Sequence, residues 1–199
     1  MTGDVVVPGR HLIIGVTGIP GCGKSVVADM FASMGAEKID ADRIGHELLD
    51  DSGIKEKVAD IFGTGVLDGD RIDRCELGEK VFSDTRKLKK LNELMHPVMI
   101  RRIKEAIDRI RSERIVVDAP LLFEAGIEDM MDTVIAVKAA PGTCVERMMK
   151  KGITRRRAER MIGVQMPLSE KLARADHIID NSGNLDKTKK GVESIWQRI

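Results

Sequence analysis

Gly18-Ile19-Pro20-Gly21-Cys22-Gly23-Lys24-Ser25 satisfies G-x-x-x-x-G-K-[ST] at every fixed position. Its flanks give the pattern weight. Residues 11–16, His-Leu-Ile-Ile-Gly-Val, form a short apolar run rich in β-branched side chains, which predicts a buried strand. Residues 26–34 continue as a helix that Gly35 stops. Strand, glycine loop and helix in that order make a phosphate cradle: glycines let backbone N–H groups turn inward, and the helix N-terminus adds a favourable dipole. Lys24 can reach the β- and γ-phosphates, and the Ser25 hydroxyl can ligate Mg²⁺. A glycine-rich turn that happens to carry Lys-Ser would explain the motif but not its flanks. The loop predicts nucleoside triphosphate binding by Gly18, Pro20, Gly21, Cys22, Gly23, Lys24, Ser25 and Val26.

Working outward, 199 residues suit one domain with an insertion, or two small ones. With 42% hydrophobic but only 3% aromatic residues, the core must be built from Ile, Val, Leu, Met and Ala. Lys and Arg (33) balance Asp and Glu (32), so net charge gives no argument for nucleic acid or membrane partners. Cys22, Cys75 and Cys144 are odd in number and far apart, which argues against a disulfide framework or zinc site and fits a reducing compartment. Cys22 reads better as a small tolerated side chain than as an accessible redox thiol. No uncharged run is long enough to span a bilayer, and the first residues lack a basic n-region. The expectation is a cytoplasmic protein with a loose leader over residues 1–11.

After the first helix, residues 36–40 predict a brief second strand ending in Asp40-Ala41-Asp42. In an open parallel sheet, ligands gather beyond the carboxyl ends of the strands, so carboxylates here face the phosphates of the first loop. Asp42 is either such a group, the favoured reading, or the cap of a helix from Arg43, with the other aspartate left to cap or orient. From residue 44 to about 111 charge is dense and apolar residues recur every three or four positions. Amphipathic helices are predicted over 54–62, 73–82, 84–95 and 98–110. A βαβ crossover usually needs one helix, so several imply an α-helical insertion overhanging the phosphate site. His96-Pro97 breaks the pattern, and sequence grammar favours a cap or turn role for His96.

Residues 113–118, Glu-Arg-Ile-Val-Val-Asp, predict a buried strand of Walker B form whose Asp118 lies near Mg²⁺, directly or through water. A loop with large apolar side chains follows, Ala119-Pro120-Leu121-Leu122-Phe123-Glu124; for Glu124, function, capping and solvation stand level. A fourth strand is predicted over 132–138, a helix opening at Pro141 and Thr143, a fifth strand over 177–180, and a closing helix over 185–199. Between Cys144 and Arg174 lie Arg147, Lys150, Lys151, Arg155, Arg156, Arg157, Arg160, Lys171 and Arg174. Some must form a solvated helix face. The rest suit a mobile basic pair of helices that closes over a transferring phosphoryl group. The lack of aromatics for base stacking lowers the nucleic-acid reading.

Together these residues resemble the dephospho-coenzyme A kinase family from residue 13 to 196. The matching pieces are the P-loop, Ile39-Asp-Ala-Asp42, His96-Pro97, Asp118-Ala-Pro-Leu-Leu-Phe-Glu124, Arg147, Gln165 and Ala175-Asp176-His-Ile-Ile-Asp-Asn181-Ser-Gly183. The P-loop alone is shared by many functions; the combination is specific. The resemblance implies an α/β P-loop kinase core with a five-stranded parallel sheet, over residues 12–43 and 113–199. It also implies an α-helical coenzyme A-binding insertion over 44–112 and a lid at about 147–172. It implies transfer of the ATP γ-phosphoryl, with Mg²⁺, to the ribose 3′-hydroxyl of dephospho-coenzyme A; a monomer or weak homo-oligomer is expected. Asp42 matches the family's proposed base, Lys24 its phosphate lysine and Arg147 its lid arginine. His96 and Pro120, Leu121, Leu122, Phe123 and Glu124 fall on the acceptor side, which raises the functional reading of His96.

Two departures stand out. Pro20 and Cys22 replace residues the family often has at variable loop positions. Lys151 stands where a second lid arginine is common, and keeps the charge but not the bidentate fork. A nucleoside-monophosphate or shikimate kinase would keep the P-loop and basic lid without needing the other motifs. A GTP-hydrolysing switch would need N-K-x-D, which this chain lacks.

Overall fold

A computed structural model describes residues 11–199; the expected leader, apart from His11, lies outside the described residues. In chain order the strands and helices are β1 (Leu12–Thr17), α1 (Lys24–Ser33), β2 (Glu37–Asp40), α2 (Ala41–Leu49), α3 (Ser52–Phe62), β3 (Leu67–Asp68) and β4 (Arg71–Ile72). They continue with α4 (Arg74–Phe82), α5 (Thr85–Arg109), β5 (Arg114–Asp118), β6 (Thr133–Lys138), α6 (Pro141–Lys150), α7 (Arg155–Gly163), α8 (Leu168–Arg174), β7 (His177–Asp180) and α9 (Leu185–Trp196). The main sheet has the order β2-β5-β1-β6-β7, with every neighbouring pair parallel. That is the expected five-stranded α/β core.

The strands are apolar on both sides because both faces are covered. Successive residues point to opposite faces, and the two hydrophobic clusters divide accordingly. Ile115 and Val117 join Ile39, Leu48, Met99, Ile103 and Leu122 on the face toward the inserted helices. Val116 joins Ile14, Val16, Val27, Phe31, Val192 and Ile195 on the face covered by α1 and α9.

Register places the site. Val16 of β1 and Asp40 of β2 both align with Asp118 of β5. The start of the glycine loop, the Asp40-Ala41-Asp42 step and the end of β5 therefore meet at the carboxyl edge, where ligands of open α/β sheets collect.

The 98–110 and 84–95 segments are one helix, not two: α5 runs unbroken with Pro97 inside it. Proline there removes the hydrogen bond to the carbonyl four residues back. Met95, Met99, Ile103 and Ile107 nevertheless form one buried stripe across the break, and apolar burial of roughly 1.5–3 kcal/mol per side chain outweighs one lost bond. The β3–β4 hairpin was not expected either, although Asp68-Gly69 is a turn signal, with Gly69 at φ 57. The last helix ends at Trp196, and Arg114 finishes the chain by stacking on the Trp196 ring and donating to the carbonyls of Trp196 and Ile199.

Candidate active site

The glycine loop is shaped by what presses on it. Gly21 and Gly23 have φ 80 and 95, in the left-handed region. A Cβ at Gly21 would lie 2.4 Å from the Cys144 carbonyl oxygen, and one at Gly23 only 2.1 Å from the Asn181 amide nitrogen. Both glycines are thus required by backbone conformation and by close approach. Lys24 begins α1 and is 9% exposed, whereas Ser25 beside it is exposed. Val26 is also largely exposed, on the outer face of α1, away from the core that Val27 enters.

Two residues brace the loop from outside. Asn181, just past β7, donates its amide to the Cys22 carbonyl (2.8 Å) and accepts from the Thr188 hydroxyl (3.0 Å). Arg147, in the last turn of α6, donates to the carbonyls of Cys22 (3.3 Å) and Asn181 (2.9 Å). Arg147 therefore holds the P-loop in this structure, whereas a lid arginine was expected to lean over the phosphates. Asn181 was quoted in the sequence motif but given no role there; its position just beyond a strand's carboxyl end was the available signal.

Cys22 is fully buried, and burial pushes its thiol up, against the opposing effect of Lys24. Cys144 is buried as well, and its thiol is pushed up to about 11, chiefly by burial. Thiols held in the protonated form are poor nucleophiles, so Cys22 is a small filler and the accessible-thiol reading fails.

The two aspartates at the end of β2 divide their work. Asp40 caps α2, its carboxylate accepting from the Arg43 N–H at 2.9 Å. Asp42, in the first turn, is thereby left facing the cleft. Its side chain reaches solvent, yet surrounding protein crowds it and raises its pKa, with Lys24 opposing and Asp118 and Asp40 reinforcing the rise. Asp118 is 4% exposed, with the Lys38 ammonium 3.8 Å from its carboxylate. Among the described residues no group of three or more His, Cys, Asp or Glu is arranged to hold an ion by itself. The oxygen donors Ser25 and Asp118 suit a hard cation such as Mg²⁺ whose other ligands are phosphates and water.

On the insertion side, the loop after Asp118 is pinned at both ends. Pro120, Leu122 and Phe123 are buried, Leu121 and Glu124 half-buried. The Pro120 carbonyl accepts from the Thr17 hydroxyl (3.3 Å) and the Lys171 ammonium. Glu124 pairs with Lys171 (2.8 Å) and accepts from the Met166 N–H (2.9 Å). Lys171 is wholly buried; burial pushes its ammonium down, and Glu124 holds it up. Lys171 belongs to the basic run expected to divide between a solvated face and a lid, and it is neither exposed nor free: its partners are in the 120–124 loop. Glu124 also raises the His96 pKa against the larger lowering by burial, and the buried His96 Nε2 has no hydrogen-bond partner. His96 lies inside α5, not at a cap, and with Leu88, Asn92, Pro97, Glu124 and Val164 it lines a cavity of about 610 Å³.

The basic segment 144–174 is largely committed. Arg157 donates to the Cys75 sulfur (3.2 Å), Arg160 to the Glu79 carboxylate (3.2 Å), and Arg174 pairs with Glu128 and stacks on Phe123. Lys150, Lys151, Arg155 and Arg156 are exposed.

A parallel sheet with a glycine loop at its central strand, carboxylates at the neighbouring strand ends and a helical overhang defines a P-loop kinase. The dephospho-CoA kinase family model matches residues 12–187. The Aquifex aeolicus dephospho-CoA kinase is 38% identical over 94% of this chain and 96% of its own length. Among solved structures, a Thermus thermophilus protein matches with TM-score 0.80 at 31% identity, covering 96% of this chain and 99% of that one. Dephospho-CoA kinase from Campylobacter jejuni matches with TM-score 0.66 at 27% identity over 95% and 97%. This chain belongs to the dephospho-CoA kinase family.

Proposed function

We propose that this protein transfers the γ-phosphoryl group of ATP to the ribose 3′-hydroxyl of dephospho-coenzyme A, giving coenzyme A and ADP. The observation that carries the mechanism is Asp42, released from capping by Asp40 and standing in the field of Lys24. Backbone N–H groups from Gly21 to Ser25 surround the β-phosphate, and Lys24 bridges the β- and γ-phosphates. Ser25 and Asp118 are the residues that would hold Mg²⁺, which would supply charge neutralisation at the phosphates. Asp42 accepts the hydrogen bond of the acceptor hydroxyl and then its proton, while the leaving oxygen departs on ADP. Because the transition state is loose, alignment matters more than basicity. The helices over 44–112 hold the acceptor with His96 and the loop from Pro120 to Glu124, and the segment 147–172 acts as the lid. Arg147 serves by keeping the loop in shape.

No helix among the described residues is long and apolar enough to cross a membrane. Size-exclusion chromatography with light scattering tests the expected monomer or weak homo-oligomer. The decisive experiment is a coupled ADP-release assay with Mg·ATP, comparing dephospho-coenzyme A with AMP, CMP and shikimate, the product identified by mass spectrometry. Turnover confined to dephospho-coenzyme A is expected. ADP release with another acceptor alone would sink the substrate but keep the kinase.

A further inference from the structure

We propose that Lys171 is a positioning residue for the transfer, a buried cation that sets the acceptor loop against the nucleotide loop. The inference rests on the acceptor reading of residues 120–124 given above. Lys171 donates hydrogen bonds to the Pro120 carbonyl and to Glu124 Oε2 at 3.0 Å, with Glu124 Oε1 in the same ion pair at 2.8 Å. Its ammonium is thereby turned toward the 120–124 loop.

The two partners of Lys171 lead to different parts of the site. The Pro120 carbonyl also accepts from Thr17, the last residue of β1 before the glycine loop. Glu124 also accepts from the Met166 N–H just ahead of α8, and it faces His96 of α5 across the cavity. One ammonium therefore joins the strand that carries the nucleotide loop, the loop leaving Asp118, and α8 at the end of the lid segment.

Stability is a poor explanation for burying a charge there. A buried ion pair gains little after desolvation, and an apolar replacement of similar size is often neutral or stabilising. What the pair does supply is direction. The bond to the Pro120 carbonyl and the pair with Glu124 hold the two ends of the 120–124 loop, and fix the Glu124 carboxylate where it lines the cavity beside His96. Misplacement of about 1 Å at a reacting centre can cost about a hundredfold in rate, so a rigid tie between the two substrates' loops has its effect on turnover.

The test is Lys171→Met, which keeps length and removes the ammonium, with Glu124→Gln as a second variant that keeps shape and weakens the pair. Acceptor KM, kcat, ATP affinity by fluorescent-nucleotide displacement and Tm are measured on each. For Lys171→Met we expect kcat to fall by about tenfold to a hundredfold and acceptor KM to rise, with ATP affinity kept within about threefold. Glu124→Gln should show the same split, more weakly, and the double variant should be no worse than Lys171→Met, as for two residues acting as one unit. If Lys171→Met does not fold, Glu124→Gln carries the test. Kinetics within about twofold of wild type, or ATP affinity lost as fully as acceptor affinity, would overturn the proposal. A wild-type protein that binds ATP but leaves dephospho-coenzyme A untouched would overturn the proposed function and this inference together; an active wild type with unaltered variants overturns this one alone.

Discussion

With Asp40 accepting the Arg43 N–H at 2.9 Å, the Asp42 carboxylate is free to serve a substrate, and its environment sets the pH at which it can. Crowding by protein raises its pKa above the ordinary 3.8, with Lys24 opposing. A raised pKa keeps the carboxyl protonated to higher pH, and a protonated carboxyl cannot accept the acceptor's proton. Activity should therefore be present above that pKa and be lost as pH falls through it. The acid limb of kcat/KM should lie above 3.8 and vanish in Asp42→Asn. That variant should lose at least about a hundredfold in turnover, the low end for a general base, while ATP affinity measured by displacement stays within a few-fold. Equal losses would make Asp42 a ligand or structural residue. Lys24→Ala should lower turnover at least about a hundredfold, the scale of one lost charge-stabilising donor, and Arg147→Ala by about the same factor through misplacement of the glycine loop it braces. Arg147→Ala should also weaken ATP binding, since the Cys22 carbonyl loses one of its two donors. An unchanged ATP affinity would favour a role at the transferring group instead. Lys24 was legible because motif spacing fixes it, whereas Asp42 stood between cap and substrate-facing group until Asp40 took the cap. Asn181 and Lys171 were not legible, because their roles depend on partners 159 and 51 residues away in the chain.

At the scale of elements, the loop between β1 and α1 works because α6 and the end of β7 leave room for glycine only. Gly23→Ala must leave a left-handed conformation or displace Asn181, whose amide nitrogen would be 2.1 Å from the new Cβ. Such strain costs about 1–3 kcal/mol, so Tm should fall by several degrees in a domain of this size, with ATP affinity falling too. Gly63→Ala, also at positive φ but with nothing within 4 Å of its Cβ, should lower Tm less and leave ATP affinity intact; calorimetry and nucleotide displacement together separate the two. The strands and most helices were readable because their apolar periods are undiluted: β1, β5 and β6 are buried on both faces, and α3 and α4 begin at aspartate caps, Asp51 and Asp73. The break expected at His96-Pro97 failed because local grammar does not see the buried stripe from Met95 to Ile107.

Across the whole molecule, stability is unevenly distributed. The sheet carries two cores, one on each face, while α7, with Ala158 as its buried residue, rests on a small satellite cluster of Val145, Met148 and Ala158 edged by partly buried Ile153, Met161 and Ile162. What else fixes α7 is polar: Arg157 to the Cys75 sulfur and Glu79, and Arg160 to Glu79, all reaching α4 in the insertion. These groups are a quarter to half exposed, and ion pairs of that kind contribute about 0–1 kcal/mol each. A helix with so little apolar burial opens at a fraction of the global unfolding free energy. It bridges α6 of the core and α4 of the insertion, the place where the proposed lid would close. Hydrogen exchange should therefore be fast in α7 of the free protein and slow in β1, β5 and β6. Mg·ATP with dephospho-coenzyme A should slow α7 most, because closure adds contacts there. Glu79→Gln should speed α7 exchange further while moving Tm by no more than about 2 °C, as expected for partly exposed pairs. If α7 amides exchange as slowly as those of β5 before any ligand is added, the segment is not a lid. The site would then have to open by movement of the insertion helices instead.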